Sequence, residues 1–225
     1  MPDFSWLNDD LADKPEPSVL WLNEERVSES PDTLDRPLKM LSRPRRRVQL
    51  RALRQEKLEE FFTALPQPGE SLHIVSNGSF DYWNFVPVIL QMIGKPCAFY
   101  GSTWTMNRSN VLQLLALLDE KKLTSATMFS GLYFKRREPA VYNALASGLI
   151  DRGQRFLCFE NHTKIMLISD SAANHITIEG SANFTANPRT EQNVLTNDLS
   201  LHEFHRSWME KLLEQCQKQT PPRLF

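Results

Sequence analysis

The sequence predicts an α/β protein, an α-β-α sandwich built on a mixed, largely parallel sheet. Three observations lead there. From residue 71 onward, short apolar runs of strand length alternate with longer stretches of helical period. Small turn residues close those runs, as at Asn77-Gly78-Ser79, Gly101-Ser102-Thr103 and Gly131. The chain has 225 residues, 41% hydrophobic and 24% charged, enough for one such domain and an arm.

Residues 1–47 read as a charged, proline-rich N-terminal arm, partly disordered. Residues 1–35 carry ten acidic and two basic side chains, whereas residues 36–57 carry nine basic and one acidic. Pro15, Pro17, Pro31, Pro37 and Pro44 oppose regular structure. Three readings of the arm stand: a solvated tail, a nucleic-acid contact through the Arg43–Arg54 cluster, and an acidic shield over the basic half or the active site. Phe4, Trp6, Leu7, Leu11 and Val19 to Leu22 are apolar enough to dock on another surface.

The domain proper runs from 48 to 219, with a tail at 220–225. Val48 to Leu65 has the spacing of an amphipathic helix that stops at Pro66. Strands follow at Ser71–Ser76, Cys97–Tyr100, Thr124–Ser130 and Arg155–Glu160. Helices fall between them at Asp81–Ile93, Ser109–Asp119 and Glu138–Arg152, the last with Pro139 in its first turn and Gly153 at its end. Asn187–Asn197 reads as a short helix. Leu199–Gln219 reads as a longer one with Leu201, Phe204, Trp208 and Leu212 on its apolar stripe.

Composition narrows the class. The net charge of −1 announces no global basic field. No run approaches the roughly 18 apolar residues of a membrane span. The N-terminus lacks a basic region followed by an apolar run. Cys97, Cys158 and Cys216 lack metal-binding spacing and suit a reducing, cytoplasmic setting.

The chemistry concentrates between Glu160 and Glu191. His162-x-Lys164 precedes a hairpin turning at Asp170-Ser171-Ala172-Ala173, and Gly180-Ser181-x-Asn183 follows it. Pairing Ser169 with Asn174 sets Ile165 opposite Ile178 and Leu167 opposite Ile176, and brings His162 level with Ser181. A histidine can form a covalent intermediate, and a lysine places a point charge on a phosphate oxygen. Ser181 and Asn183 donate to developing charge, while Gly180 lets backbone approach a ligand. His162, Lys164, Ser181 and Asn183 are therefore the expected catalytic set.

H-x-K followed by G-S-x-N resembles the signature of the phospholipase D superfamily, which includes phospholipases, phosphatidyl transferases and nucleases. The resemblance covers roughly residues 70–215 in organisation and 162–191 in specific motif. It implies metal-independent displacement through a phosphohistidine on His162. Lys164 and Asn183 would hold the non-bridging oxygens, Ser181 would assist, and Glu191 would orient the imidazole. The family pattern places an Asp five residues after the Lys. Here that position is Ser169, and Asp170 comes one later.

Two histidines are needed for the two steps, and His73, His175, His202 and His205 all lack a lysine two residues on. A two-fold homodimer that faces one His162 with another meets that need. The single motif and the basic segments point to an endonuclease cutting DNA or RNA. A phospholipase-type diesterase and an inactive nucleic-acid-binding module are the alternatives. Lys135, Arg136, Arg137 and Ser79 are the expected substrate-binding residues, because they follow strand ends where α/β ligands gather. The bland readings are a solvated surface for the first three and a plain βα turn for Ser79. No metal or other cofactor is expected.

Overall fold

The structure is a computed structural model describing residues 55, 57–78, 80–185 and 189–219. The arm 1–47, the start of the helix expected from Val48, Ser79 and the tail 220–225 lie outside the described residues. Residues 57–61 are helical, but the helix ends at Phe61, short of the expected stop at Pro66.

Seven strands form one sheet. They are β1 (Ser71–Ser76), β2 (Cys97–Thr103), β3 (Leu123–Gly131), β4 (Arg155–Phe159), β5 (Ile165–Ser169), β6 (His175–Gly180) and β7 (Glu191–Asn197). Besides the helical stretch at 57–61, the described residues form the α-helices α1 (Phe85–Ile93), α2 (Arg108–Asp119), α3 (Leu132–Arg137), α4 (Pro139–Ile150) and α5 (Leu199–Gln219). Local chemistry sets their ends. Asn107 caps α2 by accepting from the Asn110 N–H at 2.9 Å. Gly94 closes α1 at φ 65, with its N–H on the Leu90 carbonyl.

The spatial order is β1-β7-β6-β5-β2-β3-β4. The sheet is mixed and α/β, as the alternation predicts, but it is not largely parallel. Only the β2–β3 and β3–β4 pairs run parallel, and the other four pairs are antiparallel. The cause is the β5-β6-β7 meander, which inserts between β1 and β2. Its β5–β6 connection is too short for a parallel crossover. Of the helix expected at Asn187–Asn197, residues 187 and 188 lie outside the described residues, and Glu191–Asn197 is instead β7, paired on both sides. Its inward residues Asn193, Leu195 and Asn197 recur with period two.

The hairpin register also differs by one residue from the expected pairing. Ser169 faces His175, Ile168 faces Ile176 and Met166 faces Ile178. Asp170 is the reason. Its Oδ1 accepts from the N–H groups of Ala172, Ala173 and Asn174, and its Oδ2 from the Asn174 amide, drawing an extra residue into the turn. Partial burial pushes this carboxyl up, but the hydrogen bonds from Asn174, Ala172 and Ala173 prevail and hold it at about 2.

Both sheet faces are dry. Phe99, Met128, Met166, Ile168, Ile176 and Ile178 pack in the core that includes α1, α2 and α4. Tyr100, Phe129, Ile165 and Leu167 pack against Met209 and Leu213 of α5. The buried stripe of α5 is therefore His202, His205, Met209 and Leu213, displaced from the expected one, and Phe204 is 64% exposed. Neutral imidazoles can occupy buried positions, which a stripe drawn from aliphatic and aromatic residues overlooks. Polar clamps hold the helix as well. Arg155 meets both Glu210 oxygens at 2.7 Å, and Tyr100 donates to Glu210 at 2.5 Å.

His202 lies buried beside His175, and neither of its ring nitrogens has a hydrogen-bond partner among the described residues. Burial, then the charge of His175, pushes it down to about 4. The unfolded chain, titrating near 6.5, takes up this proton first. Stability is thus present above pH 6.5 and falls as pH drops towards 4, by up to about 3 kcal/mol from this group. Urea unfolding of His202→Leu should show a flatter pH dependence across that window. An unchanged slope would assign the acid sensitivity elsewhere.

Candidate active site

One end of the sheet collects nearly every residue singled out by the sequence. The C-terminal ends of β1, β2, β3, β4 and β6 meet there with the N-terminal ends of β5 and β7. Ser76 pairs with Glu191, Gly180 with Asn193, and Ser102 with Ile165. The order across this end is therefore Glu191, Ser181, His162 with Lys164, Trp104, then Tyr133. In α/β sheets such an end is where ligands bind.

His162 is presented by a pinned loop just before β5. Asn161, which is 5% exposed, makes the pin. Its amide donates to Ser102 Oγ at 2.9 Å and to the Thr103 carbonyl at 3.3 Å. Its carbonyl oxygen accepts from Thr163 N–H and Thr163 Oγ1 at 3.0 and 2.8 Å. Fastened on both sides, the loop turns the His162 ring outward, and the residue is exposed. Lys164 Nζ donates to the His162 carbonyl at 2.7 Å and lies 2.9 Å from its Nδ1. Burial lowers the Lys164 pKa from the ordinary lysine value, with the charge of Glu191 opposing.

Across the hairpin, Gly180 N–H bonds the Lys164 carbonyl at 3.1 Å. The one-residue register change sets Lys164 level with Gly180, so His162 is not level with Ser181 as expected. Ser181 Oγ donates to Glu191 Oε2. Asn183 is half-buried, and its side-chain oxygen is buried with no hydrogen-bond partner among the described residues. Gly180 serves packing rather than ligand approach. A Cβ there would lie 2.4 Å from Asn193 Oδ1 and 2.9 Å from the Tyr82 ring. Tyr82 in turn donates to the Ile178 carbonyl at 2.8 Å and lies 3.3 Å from the Lys164 carbonyl.

The basic run falls on α3, which leaves β3 at the same end. Lys135, Arg136 and Arg137 are exposed. Arg137 donates to the Tyr133 hydroxyl, and Lys135 lies 5.6 Å from the Tyr142 ring centroid. Asn161, Tyr82 and Trp104 escaped the motif reading. No short pattern marks them. The β2–β5 pairing brings Trp104 to His162, while Asn161, next to His162 in the chain, is held by its bonds to Ser102 and Thr103. Asp170 belongs to the opposite end of β5 and serves the turn.

Among the described residues, no group of three or more His, Cys, Asp or Glu could hold a metal ion, and no helix is long and apolar enough to cross a membrane.

No family model and no curated protein matches this chain. Solved structures do. Nuc, a phospholipase D family member from Salmonella typhimurium, is 17% identical over 65% of this chain and 96% of its own, with a TM-score of 0.45. NucT from Helicobacter pylori is 13% identical over 64% and 97%, with a TM-score of 0.44. TrmBL2, an archaeal chromatin protein with a novel mode of DNA binding, is 9% identical over 76% and 64%, with a TM-score of 0.43. These are likenesses of backbone course, and the chemistry rests on this chain's own residues.

Asn161 satisfies four groups at once, so Asn161→Ala leaves several of them unpaired. A loss of about 1–3 kcal/mol is expected in the urea unfolding free energy. A midpoint equal to that of the unaltered protein would mean the loop is held by other contacts.

Proposed function

We propose that the chain is a phosphodiesterase that cuts DNA or RNA, with His162 as the nucleophile. The observation that carries this reading is the exposed His162 ring with the Lys164 ammonium 2.9 Å from Nδ1, next to Ser181 and Asn183 at one sheet end. A histidine, a cation and a neutral amide donor are what displacement at phosphorus requires.

In the first step a His162 ring nitrogen bonds to phosphorus, and one ester P–O bond breaks. Lys164 neutralises charge on the non-bridging oxygens, the Asn183 amide hydrogen-bonds them, and Ser181 assists when its hydroxyl turns from Glu191. A second imidazole protonates the leaving oxygen, then takes a proton from water as that water attacks the phosphohistidine. This restores free His162 and releases the second product.

The second imidazole is proposed to be His162 of another copy. The four other histidines of the chain are committed elsewhere. His73 is exposed on edge strand β1, His175 begins β6 at the far end of the sheet, and His202 and His205 are buried on α5. His205 Nε2 also lies 3.2 Å from Glu179 Oε1, and its Nδ1 accepts from the Trp208 indole N–H. A two-fold dimer supplies the missing group without any new residue.

The test is cleavage of labelled single- and double-stranded DNA and RNA with EDTA in excess. Activity should persist, and His162→Ala should lower kcat by about a thousandfold or more. Equal activity in both preparations would sink the proposal, and activity only on lipid diesters would redirect it. Sedimentation at assay concentration should give a dimer, and a monomer that retains full activity would remove the shared site. The charged Lys164 is required, and its pKa lies below the ordinary lysine value of about 10.5. The alkaline limb of kcat/KM is therefore expected below that pH, and a limb at or above it would exclude Lys164 as its source.

A further inference from the structure

We propose that Trp104 and Tyr133 form a stacking platform for an unpaired base beside the scissile phosphate, which makes single-stranded nucleic acid the preferred substrate. The inference rests on the phosphodiesterase reading and deepens it.

Trp104 follows the last residue of β2, and Tyr133 lies in the first turn of α3, directly after β3. The two strands are parallel neighbours, so their ends emerge about 4.8 Å apart. The rings use that spacing to stack, with centroids 4.0 Å apart and planes 15° from parallel. The Trp104 ring lies 5.4 Å from the ring of His162.

Core aromatics in this fold behave differently. Trp83 and Phe99 are fully buried and meet edge to face at 87°. Trp104 and Tyr133 both keep part of their surface in solvent, and they lie flat on each other. The seat of the indole is specific to glycine: a Cβ on Gly131 would come within 2.6 Å of Trp104 Cδ1 and 3.0 Å of the Trp104 carbonyl.

The charges complete the pattern. Arg137 bonds the Tyr133 hydroxyl and stands 5.4 Å from its ring centroid. It is the cation of the run Lys135 to Arg137 tied to the platform, and it is exposed to meet a neighbouring phosphate. His162 and Lys164 take the reacting phosphate on one side, and the ring pair takes a base on the other.

Stacking needs a free π-face and is tolerant of base identity. A duplex keeps its base faces covered, and a phospholipid diester offers no planar ring. The platform therefore selects an unpaired strand with little sequence preference.

The test is anisotropy of a labelled mixed-sequence oligonucleotide, alone and as a duplex, at one salt concentration. It uses the full chain carrying His162→Ala, so that turnover does not interfere. The single strand should bind at least about tenfold tighter than the duplex. Adding Trp104→Leu should abolish that preference, and Trp104→Phe should keep most of it. Equal binding of both nucleic acids, or a preference unchanged in Trp104→Leu, would overturn the platform. If Trp104→Leu fails to fold, Tyr133→Leu against Trp104→Phe decides in the same way. Binding and cleavage fail separately. Single-strand preference through Trp104 with no cleavage by the unaltered protein would leave the platform and remove the phosphodiesterase. Cleavage without the preference would do the reverse.

Discussion

Burial on both faces of the central strands is the constraint on which this fold depends. Met166, Ile168, Ile176 and Ile178 face one core, and Ile165 and Leu167 face the other. Each such side chain contributes about 1.5–3 kcal/mol when fully buried. A slide of β5 along β2 would drag these residues out of matched packing on both sides at once. The antiparallel strand is therefore locked into a sheet whose neighbouring pair, β2–β3, is parallel. That lock fixes where the loop from Asn161 to Lys164 emerges, and so where His162 stands relative to Trp104 and Ser181.

Two polar residues finish what burial begins, one at each end of β5. At the turn, Asp170 is saturated by backbone and side-chain donors and held ionised to about pH 2. It is committed to geometry, at the end of the strand away from His162. At the other end, Asn161 spends its amide on Ser102, Thr103 and Thr163. The charge against the His162 ring is that of Lys164, whose ammonium feels Glu191 in turn, and Arg137 stands at the ring of Tyr133.

The class of the fold was legible because alternating strand and helix periods survive in sequence, and the strands at 71–76 and 155–159 fall where the apolar runs place them. The same logic failed where both faces are dry. Ile165 and Leu167 could be matched with Ile176 and Ile178, or Met166 and Ile168 could. Alternation is silent between the two, and the Asp170 side chain decides. β7 was misread because Asn193 and Asn197 look like surface residues, yet both are buried. Asn197 donates to the Pro66 carbonyl and accepts from the His175 N–H. At the site, the closeness of Lys164 to His162 could be read from their spacing, whereas the bond from Ser181 to Glu191 could not, since Glu191 was expected on the imidazole. Trp104 could not, because its neighbour Tyr133 is brought to it by parallel pairing of strands whose positions in sequence give no hint of the stack.

The contact between Lys164 and His162 bears directly on the proposed chemistry. An ammonium can only donate, and Lys164 Nζ lies 2.9 Å from Nδ1 and 3.3 Å from Nε2, so the imidazole and an incoming phosphate compete for the same donor. Neutral imidazole is the form with the lone pair that attack on phosphorus needs. The same ammonium is the cation that would neutralise an incoming phosphate. Both tasks cannot be held by one hydrogen bond at the same moment. In the proposed reaction, a phosphate oxygen drawn to Lys164 replaces the ring nitrogen as acceptor and releases the lone pair beside the phosphorus atom. The bond to the His162 carbonyl, 2.7 Å long, can stay in place as this exchange occurs. Substrate binding and nucleophile release then become one event, and the partial burial of Lys164 strengthens it by keeping water from taking the vacated donor.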